Sequence, residues 1–198
     1  MTDLLNVPEA AQFLRITGSS EDAELAEMVT TASGMITRYI GPVAATPFVE
    51  TYDGGRAQIM LRRNPVIAVT SVMESWGSST IYTLTPTVLD GSASNFGTFG
   101  YSVDLTVGLI TRRASGVAVA FARGIQNVTI AYTAGYAVIP PDLKLAAKLL
   151  VQHLYATQRG GARRPSMGGD DAVPASHYDD MPSRVEQILG NYYTPGVA

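Results

Sequence analysis

Between Leu25 and Tyr39 the residues Leu25, Met28, Val29, Ala32, Met35, Ile36 and Tyr39 recur at steps of three and four. That is the spacing of one helix face, kept over about four turns. Such a helix is not stable alone in water and must bury its stripe against another element. Glu21, Asp22 and Glu24 stand at its start, where the helix dipole favours acids, and Ser19 or Ser20 is placed to cap it. Gly41-Pro42 ends it. The matching stripe lies far along the chain. Pro140-Pro141-Asp142 introduces a helix over about 141–158, and Gly160-Gly161 stops it. Its apolar side is Leu143, Ala146, Ala147, Leu150, Leu154 and Val151 or Tyr155. The first stripe is expected to face Leu143, Ala147, Leu150 and Leu154. A shorter helix precedes both, capped by Asn6, with Pro8 in its first turn and its end near Leu14.

Between the two stripes the period changes from helical to alternating. Val49–Tyr52 and Ala57–Arg62 flank Asp53-Gly54-Gly55-Arg56, a hairpin signal. A β-rich run follows Pro65, from Val66 to Met73. Short strands are predicted at 80–84, 101–105, 108–112, 116–121 and 127–134. In the last, Val128, Ile130 and Tyr132 alternate with Thr129, Ala131 and Thr133, as in a half-buried antiparallel strand. Residues 90–97 form a polar loop too long for a tight turn. The fold class expected is therefore α+β, with helical N- and C-terminal parts packed together around a β-rich antiparallel insert. The divisions are 1–47 for the N-terminal helices, 48–134 for the insert, 135–160 for the C-terminal core helix and 161–198 for a linker and attachment arm.

Residues 160–181 are rich in Gly, Pro, Asp and Arg and read as a flexible linker. A short amphipathic helix capped by Ser183 follows, with Val185, Ile188 and Leu189 apolar, and then Tyr192 and Tyr193. An apolar patch on a linker suits docking onto a neighbour, so Val185, Ile188, Leu189, Tyr192 and Tyr193 are candidate contacts to another subunit or to a larger partner. Packing back on the chain's own core is the other reading.

Composition removes most enzyme classes. Cysteine is absent, which excludes disulfide scaffolds, thiol nucleophiles and cysteine-ligated metals. The two histidines are poorly placed: His153 lies within a helix, and His177 lies in the linker beside Asp179 and Asp180, where a solvated loop is favoured over a metal site. No phosphate loop, zinc-protease motif, EF-hand or nucleophile elbow occurs. No catalytic residue, cofactor or metal is expected. No apolar run reaches the roughly 20 residues of a membrane span, and the first ten residues carry no basic flank or signal core. A soluble protein of a reducing cytoplasm is expected. Charged residues make up only 16%, below the usual ~25%, and a surface so poor in charge hints at burial in an assembly.

Charge is also segregated. Residues 1–53 hold eight acids and two bases, 54–164 four acids and eleven bases, and 165–198 five acids and one base. Opposite blocks can pair within a fold or between copies. Arg62-Arg63, Arg112-Arg113 and Arg163-Arg164 could suggest nucleic-acid binding. With a pI of about 5.3 and no basic helix stripe, the first two pairs are instead expected to end strands and meet acids of the same or an adjacent subunit.

One order of parts is familiar. The helix ends in Ile36-Thr37-Arg38-Tyr39-Ile40-Gly41, and the insert opens at Arg63-Asn64-Pro65-Val66-Ile67-Ala68-Val69. The last strand runs from Asn127 to Thr133 and passes through Ala134-Gly135-Tyr136 and Ile139-Pro140-Pro141-Asp142 into the final long helix. Over about residues 3–160 this resembles the head–tail connector (adaptor) proteins of tailed bacteriophages. The resemblance implies a structural virion protein and not an enzyme, assembled in the host cytoplasm and located at the head–tail interface. It implies a ring, commonly of twelve copies, with the portal protein on one side and the next tail-side component on the other. Double-stranded DNA would pass through the ring without sequence-specific contacts. An acidic or neutral lining suits that passage, because dense phosphate contacts would retard sliding. Glu24 and Glu27 are the candidate lining, with Glu21 and Asp22 better explained by the helix dipole. A β-rich binding or hydrolytic domain is the alternative class, and a tail terminator or minor capsid protein a third reading. Concentration-dependent ring formation favours the first, turnover of esters, glycosides or nucleic acids the second.

Overall fold

The computed structural model describes residues 3–77, 80–86, 100–158 and 181–193. The chain divides into two compact units. One joins the N-terminal residues up to Val43 to the C-terminal residues from Val138; the other is the insert Ala44–Ala137. This is an α+β fold in which helices from both ends of the chain share one unit.

The helical unit holds α1 (Val7–Leu14), α2 (Asp22–Ile40), α3 (Pro141–Gln158) and α4 (Ser183–Gly190). Asn6 caps α1 in a reciprocal box: its side chain accepts the Glu9 N–H at 2.8 Å, and the Glu9 carboxylate accepts the Asn6 N–H at 3.2 Å. α2 starts later than its serines suggest. Its N-cap is Glu21, with no side-chain cap. The Ser19 carbonyl accepts the Asp22 N–H, so a backbone turn does what the hydroxyls were expected to do.

α2 packs on α3, as the two stripes require. Leu25, Met28, Val29, Ala32 and Ile36 are buried, but Met35 is only half-buried and Tyr39 is exposed. The position that sequence periodicity overlooks is Ser33, 1% exposed. Its hydroxyl donates to the Val29 carbonyl at 2.7 Å and accepts the Leu4 N–H at 3.0 Å. The second bond ties the buried N-terminal segment Leu4-Leu5 to α2. On α3, Leu143, Ala146, Ala147, Leu150 and Val151 are buried, and Leu154 is half-buried.

The insert holds β1 (Thr46–Tyr52), β2 (Gln58–Met60), β3 (Val66–Trp76), β4 (Thr80–Pro86), β5 (Gly100–Asp104), β6 (Leu109–Ala114), β7 (Val117–Ala118) and β8 (Val128–Ala134). They form one sheet in the order β1-β8-β3-β4-β5-β6-β2, with β7 added to β6. Every pairing of these strands is antiparallel except β4 with β5. β1 and β2 are at opposite ends of this order, yet Tyr52 and Ile59 enter the same core with Val72, Leu84, Ile110, Phe121, Ile130 and Tyr132, so the sheet curls on itself.

Two sequence expectations fail in the insert. Residues 49–62 do not form a hairpin: β1 pairs β8 and β2 pairs β6. The intervening Gly54-Gly55 backbone is captured by another segment. Gly54 N–H donates to the Gly124 carbonyl and the Asn127 side chain, and Gly55 N–H to the Phe121 carbonyl. A Cβ on Gly54 would collide with the Ala122 carbonyl, so the glycine serves close approach and not a turn. The strand expected at 116–121 shrinks to Val117–Ala118, because Phe121 N–H leaves β6 to bond the Arg56 carbonyl. β8 behaves as its alternation predicts, with Val128, Ile130, Tyr132 and Ala134 buried. The polar loop 90–97 and the linker 160–180 lie outside the described residues.

Candidate functional site

The acidic start of α2 divides by partner. Glu21 accepts the Tyr155 hydroxyl at 2.9 Å and so ties α2 to α3. Glu24 is half-buried and engaged, whereas Asp22 and Glu27 are exposed. Glu24 and Glu27 are three residues apart, so they share a side of the helix, next to the buried stripe. Glu27 is thus the candidate lining carboxylate most open to solvent.

The candidate contact residues have a different setting from the one expected. α4 packs on α3, and Val185 and Leu189 are fully buried within their own unit. Ile188 and Tyr192 are half-buried. Tyr192 donates its hydroxyl to the Asp142 carboxylate at 2.5 Å, and the exposed Tyr193 ring stands 5.9 Å from the Tyr39 ring. The segment therefore does find an apolar partner in its own domain, contrary to expectation, because α3 offers it a further face beyond the one taken by α2. Ser183 is the first residue of α4 and not its cap; Pro182 precedes the helix and supplies the carbonyl for Val185 and Glu186 N–H.

Sequence reasoning missed the insert's two polar centres, one buried and one part-buried. Glu74 and Arg112 are 1% and 4% exposed. Arg112 donates through Nε to both carboxylate oxygens at 3.1 and 2.9 Å and through Nη2 to Oε1 at 2.5 Å. Ala122 N–H adds a bond at 3.2 Å. Burial pushes the Glu74 carboxyl up. The hydrogen bonds from Arg112, the Trp76 indole and Ala122, with the Arg112 charge, outweigh it and hold the carboxyl below its usual range. Above the pair, Trp76 (52% exposed) and Tyr82 (51%) meet edge to face at 6.3 Å beside clefts of about 380 Å³. A carboxylate with this many donors has little capacity left to act as a base.

The second centre is Glu50. It accepts the Tyr52 hydroxyl at 2.5 Å and the Tyr132 hydroxyl at 2.7 Å, with Arg63 at 3.6 Å. Arg62 lies over the Tyr52 ring at 4.8 Å and Arg63 over the Phe48 ring at 5.5 Å. Burial first, and the Glu50 hydrogen bond second, push the Tyr52 phenol up to about 12; the same causes push Tyr132 up. Arg112 is buried against Glu74 and Arg113 bonds the Ser102 hydroxyl and the Gly116 carbonyl, whereas Arg62 and Arg63 stay exposed, with Arg63 3.6 Å from Glu50. The signal for these centres was the chain's arginine doublets; they do not end strands as expected, since Arg112-Arg113 lies within β6 and Arg62-Arg63 beyond β2, and their partners are set by strand order, which the sequence does not display.

Among the described residues no group of His, Asp or Glu could hold a metal ion, and no helix is long and apolar enough to cross a membrane. His153 is half-buried in α3, and His177 lies outside the described residues.

The family model described as head completion protein matches residues 3–194, and the chain belongs to that family. Among solved structures, a chain from the neck of an empty GTA particle computed with C6 symmetry shares the fold with a TM-score of 0.58. The identity is 20%, over 98% of this chain and 91% of that one. A chain from the neck of a native GTA particle computed with C12 symmetry gives a TM-score of 0.53 and 19% identity, over 100% and 96%. No curated protein matches the chain.

Proposed function

We propose that this protein is a structural component of the neck of a tailed particle, forming a ring between portal and tail through which DNA passes. The observation that carries the reading is membership of the head completion protein family across residues 3–194, supported by the fold shared with neck chains. Twelve copies is the number we infer, because a ring of twelve obeys both the six-fold and the twelve-fold symmetry used for those necks. Glu24 and Glu27 are assigned to the channel side, where carboxylates repel phosphate and let DNA slide. The portal protein and the next tail-side component are the axial partners. The Trp76–Tyr82 cleft is a binding feature in this reading and not a catalytic one. The test is assembly in the absence of this chain. Filled heads and free tails should accumulate unjoined, and complementation should restore joined particles. Normal particles made without the chain would overturn the proposal.

A further inference from the structure

The seat of α4 has the features of an exchangeable joint. An isolated eight-residue helix is unstable in water, and α4 has no side-chain cap. Its helical state therefore depends on its seat on α3, where Val185 and Leu189, four residues apart, are both 0% exposed. Two further contacts fix its exit: Tyr192 to Asp142, and Tyr193 against Tyr39.

The connection to this seat is far longer than the packing requires. Helices packed side by side are usually joined by about two to eight residues. Here residues 159–182 separate α3 from α4, roughly three times the upper end of that range. Fully extended, such a length could span on the order of 80 Å, which reaches well beyond the chain's own α3.

We propose that in the assembled ring each copy's α4 occupies the α3 seat of the adjacent copy. This rests on the ring reading above. The contacts are the same whether helix and seat belong to one chain or two, so seating within the chain and exchange differ mainly in effective concentration and connection geometry. In a free monomer only the chain's own seat is at hand. In a ring the neighbouring seat is held at comparable concentration, and the long connection can reach it. Exchange in one direction around a ring closes on itself, leaving no empty seat and no unplaced helix. Subunits are then joined by a link that exposes no apolar surface before assembly.

The absence of cysteine makes the test direct. Full-length Tyr39→Cys and Tyr193→Cys chains are mixed, assembled, and treated with a short thiol cross-linker. Both side chains are substantially exposed, 43% and 55%. Rings are separated from monomers by sedimentation, and linked peptides are identified by mass spectrometry. Exchange predicts a 39–193 link between chains wherever a Tyr193→Cys arm meets a neighbouring Tyr39→Cys seat in the ring. A double Tyr39→Cys/Tyr193→Cys chain should link to itself in the monomer fraction. Rings that form without the interchain link, while the double variant links only within chains, would overturn the exchange and leave the ring reading intact. Failure of the parent chain to form rings under all assembly conditions would overturn both. Asp142→Cys with Tyr192→Cys gives a second pair at the same seat if the first disturbs folding.

Discussion

The helical unit and the β insert bury their interiors by different means. α2, α3 and α4 meet through Leu25, Val29, Ile36, Leu143, Leu150, Val185 and Leu189, with Ser33 the buried polar residue among those described. The insert encloses the Glu74–Arg112 pair and places Glu50 under two tyrosine hydroxyls. Apolar packing is non-directional, so a helical seat accepts an equivalent helix whichever chain supplies it. Buried charge pairs are directional and costly to mismatch. In the insert, Glu74 and Arg112 tie β3 to β6, and Glu50 ties β1 to β8 and to the segment after β2. The contrast separates a unit suited to exchange from one whose strand register is fixed.

The largest expected effect lies in the helical unit. Ile36→Asp places an unpaired charge in the α2–α3 interface and should abolish stable folding of that unit, a loss of roughly 5 kcal/mol or more. Loss of helical circular dichroism at ordinary temperature would show it, and a parent-like melt would refute the pairing. Met35→Asp should cost much less, since Met35 is only half-buried.

Next comes the buried pair. Glu74→Leu alone leaves the Arg112 guanidinium buried and uncompensated and should cost about 3–5 kcal/mol, whereas Glu74→Leu with Arg112→Met should recover most of that loss. Trp76 is the chain's one tryptophan and reports on this site by fluorescence during urea unfolding. Equal losses in the single and double variants would mean that the pair is not the directional pin described here. Acid acts in the same sense. Because the Glu74 carboxyl is depressed in the folded state, its contribution is present above the ordinary carboxyl range and is lost as pH falls through the folded value.

Alkali should weaken the insert by a smaller margin. Tyr52 titrates near 10 when unfolded and at about 12 when folded. Its contribution is therefore complete below pH 10 and is lost as pH rises toward 12. The loss is about 1.4 kcal/mol for each pH unit between those two values. Tyr52→Phe should remove this part of the alkaline loss in a tryptophan-monitored titration, leaving the part carried by Tyr132, whose phenol is also raised. An unchanged alkaline profile would remove the Glu50 centre from the account.

The smallest change in stability belongs to the candidate channel residues. Glu27→Lys is exposed and should shift stability by no more than about 0.5 kcal/mol, while raising salt-sensitive retention of duplex DNA by the assembled ring. No change in retention would remove Glu27 from the lining.

The same contrast explains what the sequence made readable. Helical periodicity carries its own partner information: the stripes at Leu25–Ile36 and Leu143–Leu150 are each complete in the local sequence and need only each other. The Asn6 box and the Gly41 stop are equally local. Strand pairing is not local. Asp53-Gly54-Gly55-Arg56 has the composition of a hairpin turn, yet Gly54 is there so that residues 121–127 can approach. Glu74 and Arg112 are far apart in the chain and become neighbours only once the strand order is set. α4 shows the limit from the other side: its apolar face was legible, but which seat it fills is a question of connection length and neighbours.

The central claim, a ring that joins portal to tail, is tested most directly by negative-stain class averages of purified portal incubated with the full-length chain. The account predicts one additional ring-shaped layer stacked on the portal around a continuous central channel, with two-dimensional averages consistent with twelve copies. Bare portals beside unassembled chains, at concentrations where the chain is folded and in excess, would contradict it.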